Sequence, residues 1–136
     1  MDFVPFEIAK KLKEKGFREE CLAYYHTDGE LLYNRDQYRG GDYKSLLRSY
    51  NSSPKNPIGC EQIDASTITQ VLKWLRAEYS IHISTKPYSC EDGLMWLYEI
   101  RKFNKNIVFV MANKTGFTKE EQASLAGIEY VIDNLI

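Results

Sequence analysis

Between Tyr33 and Tyr50 the chain interleaves rings with cations: Tyr33, Tyr38, Tyr43 and Tyr50 alternate with Arg35, Arg39, Lys44 and Arg48. These residue types perform recognition rather than bond-breaking. Aromatic faces stack on bases or fill pockets on a protein partner, while guanidinium and ammonium groups track a phosphate backbone or pair with carboxylates. Only Asp36 and Asp42 oppose the four cations, so the segment carries a surplus of two positive charges in a chain whose net charge is -1. The plainer reading, and the favoured one, is a loop whose tyrosines fold back on the domain.

Bond-making chemistry finds less to work with. His26 and His82 sit in separate apolar stretches, each read as a sheet residue. A Cys/His dyad or metal site built from Cys21, His26, Cys60, His82 and Cys90 needs the fold to gather residues whose spacing does not ask for it. No GxSxG elbow, phosphate-binding glycine loop or HExxH pair is present. No catalytic residue, cofactor-binding residue or metal ligand is therefore assigned, and no cofactor is expected. Three cysteines without a CxxC spacing read as reduced thiols of an intracellular protein.

A third candidate surface is the polar face of residues 67–79, formed by Thr69, Gln70, Lys73 and Arg76, types that touch bases and phosphates. A winged-helix reading makes this the recognition helix and residues 81–100 the wing. That motif needs a turn of three or four residues before the recognition helix, whereas roughly a dozen loop-like residues precede this one. The helix is read as scaffold.

The elements that must position these groups follow from patterning. The 136 residues, 43% hydrophobic and 27% charged, have ordinary globular composition and a single-domain length. The N-terminal stretch is interrupted by Lys10, Lys11, Lys13 and Lys15, unlike a signal peptide, and no segment reaches membrane-span length. A cytoplasmic location is expected. Pro5 to Lys15 reads as a helix, with Pro5 in the first turn, Ile8 and Leu12 on one face, and Gly16 as a left-handed cap. Residues 21–26 and 31–34 flank Asp28-Gly29, a hairpin signal. A two-residue turn there sets Tyr24 opposite Tyr33 and Tyr25 opposite Leu32.

Residues 35–63 lack sustained periodicity and read as a long irregular loop, with a short helix over Tyr43–Tyr50. Thr67 and Gln70 then form a capping-box pattern before Ile68, Val71, Leu72, Leu75 and Tyr79, one apolar stripe. Ile81 and Ile83 begin a half-buried strand, a loop is expected around Pro87, and Leu94, Trp96, Tyr98 and Ile100 share one strand face. Ile107 to Met111 is a further strand, and Thr118 with Glu121 caps the last helix. The predicted order is α-β-β-α-β-β-(β)-α. It implies an α+β fold in one domain over 1–136, a mostly antiparallel sheet of four to five strands with helices on one face.

The stretches VPFEIAKKLKEKGF (4–17), TITQVLKWLRAEYSIHI (67–83), WLYEI (96–100) and EEQASLAGIEYVIDNLI (120–136) resemble a family of small uncharacterised phage and prophage proteins of gut bacteria. The resemblance implies an accessory protein of a mobile element and supplies no activity, ligand or catalytic residue. The expected function is a protein-interaction module binding a host or phage protein. Its candidate partner-binding residues are Tyr33, Arg35, Tyr38, Arg39, Tyr43, Lys44, Arg48 and Tyr50. The alternative is a nucleic-acid-binding regulator using the same segment or the polar face of 67–79. No membrane partner is expected, and self-association as a homodimer is left open.

Overall fold

A computed structural model describes residues 2–34, 47–52 and 62–136. The chain divides into two compact units, Phe3–Thr67 and Ile68–Ile136. Among the described residues the fold is α+β, with three α-helices and two three-stranded antiparallel sheets, where one larger sheet was expected. The difference arises because a short strand, Ile63–Ala65, that the periodicity does not reveal pairs with Ala23–Tyr25 and completes a separate sheet.

In the first unit, α1 (Phe6–Glu14) begins after Pro5 and buries Ile8, Ala9 and Leu12. Gly16, at φ +89°, ends it as the sequence suggests. Its N–H bonds the Lys13 carbonyl and the Phe17 N–H reaches back to Leu12, so the last carbonyls are satisfied and Phe17 turns into the core. Strands β1 (Ala23–Tyr25), β2 (Leu31–Tyr33) and β3 (Ile63–Ala65) form a sheet in the order β2-β1-β3.

The hairpin register differs by one residue from the expectation. Tyr24 lies opposite Leu32 and Ala23 opposite Tyr33. The connection is three residues, Thr27-Asp28-Gly29, because the His26 N–H pairs with the Glu30 carbonyl and the Gly29 N–H closes a turn onto His26. Gly29 adopts φ +88° as the left-handed residue that such a loop requires. The Asp28 carboxylate accepts from the Glu30 N–H and fixes the turn from inside. Asp-Gly thus marks the turn, but Gly29 serves as its third residue.

In the second unit, α2 (Ile68–Tyr79) leads through Ser80 alone into β4 (Ile81–Cys90), followed by β5 (Gly93–Asn104), β6 (Ile107–Phe117) and α3 (Glu120–Asn134). The strands form a meander, β4-β5-β6. Ile81 and Ile83 of β4 and Tyr98 and Ile100 of β5 are buried on one face, and α3 packs there against both strands. Gly127 of α3 permits that approach: a Cβ at its position would lie 2.9 Å from Ile83 Cγ2.

Three local expectations are corrected here. Pro87 lies inside β4, paired with Trp96, and not in a loop. An edge strand tolerates it, because no neighbour requires its missing N–H on the outer side. Helix α2 is rotated so that Trp74, with Ile68, Val71 and Leu75, is buried, while Leu72 is half-buried. Thr118 does not cap α3; Lys119 holds the cap position without a side-chain bond, and the Thr118 hydroxyl donates to Gln122 Oε1 at 2.9 Å. No helix among the described residues is long and apolar enough to cross a membrane.

Candidate functional site

Three of the eight candidate residues, Tyr33, Arg48 and Tyr50, fall within the described parts of the chain, and all three line one surface cavity of about 450 Å³. Tyr24, Leu31, Leu32 and Asn34 complete its lining. Arg35, Tyr38, Arg39, Tyr43 and Lys44 lie outside the described residues, as do Cys60 and the first half of the short helix expected over Tyr43–Tyr50; its second half is not an α-helix, since Arg48 forms a β-bridge with Cys21. Within the described segment Tyr50–Ser52 is a single turn of 3-10 helix.

Two anchors hold Arg48 and Tyr50 beside the hairpin. Arg48 exchanges both backbone hydrogen bonds with Cys21, at 2.8 and 3.0 Å, which extends the antiparallel pairing of the sheet by one bridge. Two residues later the backbone is gripped by Asp64. The Asp64 carboxylate accepts from the Tyr50 N–H at 2.8 Å, the Asn51 N–H at 3.1 Å and the Ser49 hydroxyl at 3.3 Å. Asn51 reciprocates: its Oδ1 accepts from the Asp64 N–H and its Nδ2 donates to the Phe17 carbonyl. The Arg18 guanidinium donates to the Asn51 carbonyl. This clamp sets the Tyr50 ring 4.7 Å from that of Tyr24, at an interplanar angle of 55°.

Burial pushes the Asp64 carboxyl above the usual carboxylate range, opposed by the hydrogen bonds from Asn51, Tyr50 and Ser49 and by the Lys13 charge. The same clamp was not legible as a site in the sequence. The available signal was an acidic residue inside the apolar triplet Ile63-Asp64-Ala65, because aspartate is depleted in strands unless something binds it.

The cavity can bind but is poorly equipped to react. Its described lining supplies three phenols, one guanidinium, one carboxamide and two leucines. Those groups stack, donate hydrogen bonds and attract an anion; none is an ordinary proton acceptor or nucleophile at neutral pH. Tyr33 is 61% exposed on the rim, and Phe3 meets its ring edge-on at 5.7 Å.

Among the described residues no histidine or cysteine lines this cavity, although Cys21 pairs with Arg48 through its backbone. His82 is on β4 with its ring 5.5 Å from that of Phe103, and His26 follows β1 with its ring 5.7 Å from Tyr24. Cys21 is buried, and burial, with the carboxylates of Asp64 and Glu19 nearby, pushes its thiol well above the usual range; such a thiol is inert. Cys90 is exposed near the β4–β5 turn. Among the described residues no group of three or more His, Cys, Asp or Glu could hold a metal ion. On α2, Thr69, Lys73 and Arg76 are exposed and Gln70 is half-exposed, an arrangement that scaffold and recognition helix share. Comparison with known protein families, with curated proteins and with solved structures finds no match to this chain.

Proposed function

We propose that this chain is a small protein-interaction module, acting as a cytoplasmic phage or prophage accessory protein that binds a host or phage protein. The observation that carries the reading is the convergence of Tyr33, Arg48 and Tyr50 with Tyr24 on one open cavity. Tyrosine and arginine are enriched at protein-binding surfaces: tyrosine offers a large apolar ring and a polar tip with few rotors to freeze, and arginine a planar guanidinium that stacks and pairs with carboxylates. A partner segment presenting an apolar side chain beside a carboxylate fits a lining that offers leucine and tyrosine side chains together with the Arg48 guanidinium.

The experiment is capture from a host lysate on the immobilised full chain, run beside Tyr33→Ala and Arg48→Glu variants that keep the parent's unfolding midpoint. A partner retained by the parent and lost from both variants supports the reading. A partner held equally by all three moves the interface elsewhere, and no specific partner overturns the proposal.

A second reading, a nucleic-acid-binding regulator, draws on the Tyr24 and Tyr50 rings beside Arg48, since adjacent rings and a cation also form a platform for unpaired bases. It requires a salt-dependent mobility shift with single-stranded DNA that Tyr50→Ala and Arg48→Ala each weaken at least tenfold. A shift through the polar face of α2 would instead respond to Lys73→Ala and Arg76→Ala.

A further inference from the structure

Strand β6 is an edge of the second sheet, and among the described residues it pairs only with β5. Five consecutive apolar residues, Ile107, Val108, Phe109, Val110 and Met111, are 42–59% exposed along it, and Phe103 of β5 is exposed beside them. The side chains of a strand alternate between faces, so a run of five exposed apolar residues means that both faces are open. Exposed, strand-prone edges are normally blunted by lysine, proline or inward-pointing charge. The opposite edge of the same sheet has such protection: β4 carries Lys86 and Pro87. From Asn106 to Asn113 the β6 edge has neither a charge nor a proline.

We propose that this edge is a self-association surface, on which β6 of a second copy of the chain docks antiparallel about Phe109. Three features select a second copy as the occupant. First, the run is symmetric in residue type about Phe109, as a two-fold interface requires. Val108 meets Val110 of the other copy, Ile107 meets Met111, and Phe109 meets itself. Second, charge does not oppose the same register. The paired stretch Ile107–Met111 holds no charged residue, so no like charges are set opposite each other within it.

Third, the backbone is in phase. Asn104 and Ile107 pair across a two-residue turn, which makes theirs a hydrogen-bonded pair. The alternation then turns the N–H and C=O of Val108 and Val110 away from β5. In the register about Phe109 these groups exchange hydrogen bonds with Val110 and Val108 of the second copy. The register shift opposite Ile100 and Arg101, with Met111 as the extra residue, bounds the flat stretch at its far end.

The six exposed side chains offer on the order of 500 Å² of accessible surface per copy, comparable with the largest patches of ordinary monomers. A standard interface removes about 800 Å² per partner. The expected product is therefore a reversible dimer of roughly micromolar affinity, not an obligate one.

Sedimentation of the full chain between about 1 and 300 μM tests this, since that span brackets a micromolar constant. The parent is expected to pass from monomer to dimer with concentration. The double variant V108K/V110K, which sets lysines opposite each other across the axis, is expected to remain monomeric with an unchanged circular dichroism spectrum. A register test accompanies it in a Cys60→Ser, Cys90→Ser background: Phe109→Cys should cross-link two copies under mild oxidation, and Phe103→Cys should not. A parent that stays monomeric throughout, a dimer indifferent to V108K/V110K, or equal cross-linking at the two positions overturns the proposal.

Discussion

Asn51 and Asp64 bind each other in both directions: the Asp64 N–H donates to Asn51 Oδ1 and the Asn51 N–H donates to Asp64 Oδ2, each at 3.1 Å. A short strand and a turn of 3-10 helix are thereby locked together without a shared sheet ladder. The position of Tyr50 at the cavity depends on that lock.

Replacing Asp64 by Ala strands the N–H groups of Tyr50 and Asn51, while the Ser49 hydroxyl keeps the Arg18 carbonyl and Ser52 as partners. A loss of about 3 kcal/mol is expected in chemical denaturation, the scale for buried donors left unpaired. The accompanying pH dependence has a definite sign. Burial raises the Asp64 carboxyl above its ordinary value, so the folded chain holds that proton more tightly than the unfolded chain. Its contribution is full below the ordinary Asp value and declines as pH rises through the raised folded value. The stability of the parent relative to Asp64→Asn should accordingly fall with rising pH across that acid window and then level off. A difference that grows with pH would show the hydrogen bonds outweighing burial.

Leu75 and Leu72 separate by burial. Leu75 of α2 is fully buried, and truncation to Ala should cost about 3 kcal/mol. Half-buried Leu72 should cost roughly half as much, and exposed Lys73 and Arg76 no more than about 0.5 kcal/mol. Denaturant midpoints of the four alanine variants check the order; equal losses for the two leucines would contradict the rotation of α2 toward Trp74.

Ser80 joins α2 to β4 at φ +55°, a left-handed conformation that disfavours a side chain. Its N–H bonds the Arg76 carbonyl as a helix-ending residue does, and the Phe103 N–H holds its carbonyl. Ser80→Gly should therefore stabilise by about 0.5–1 kcal/mol, read as a higher thermal midpoint. A lower midpoint would mean that the hydroxyl does more than the backbone conformation costs.

Gly127 provides the converse case. Gly127→Ala ordinarily favours a helix, but here the methyl would press within 2.9 Å of Ile83 Cγ2 and 3.4 Å of Tyr98 Cγ. A net loss of about 1–3 kcal/mol is expected in equilibrium unfolding, because the crowded branch of Ile83 has no free rotor to yield. Ile83→Ala should recover part of that loss in the double variant.

Helices α1 and α2 were legible in the sequence because each carries its own periodic stripe and, for α1, its own glycine stop; α3 was placed by the Thr118 and Glu121 pattern, which does not cap it. The meander was legible in part: Trp96, Tyr98 and Ile100 alternate clearly, yet Pro87 hid the far half of β4. The register at Tyr24 and Tyr33 was missed because Asp-Gly specifies that a turn occurs without fixing how many residues it spans. Ile63–Ala65 was missed for a different reason. Three residues show no period, and what holds Asp64 there comes from a turn distant in the chain. At the candidate site the residue types pointed to Tyr33, Arg48 and Tyr50, while the clamp that orients Tyr50 depends on tertiary pairing.

The two sheet orders imply different assembly histories. In β4-β5-β6 each strand pairs with its immediate successor across a tight turn, so the ladder can zip from the Lys105-Asn106 bend outward. In β2-β1-β3 the third strand must return to the first after residues 34–62 have been spanned, an entropic toll due before any pairing rewards it. The carboxyl-terminal half should thus form early, and the clamp that shapes the aromatic cavity should arrive last, which makes the recognition surface the part of the molecule most readily lost.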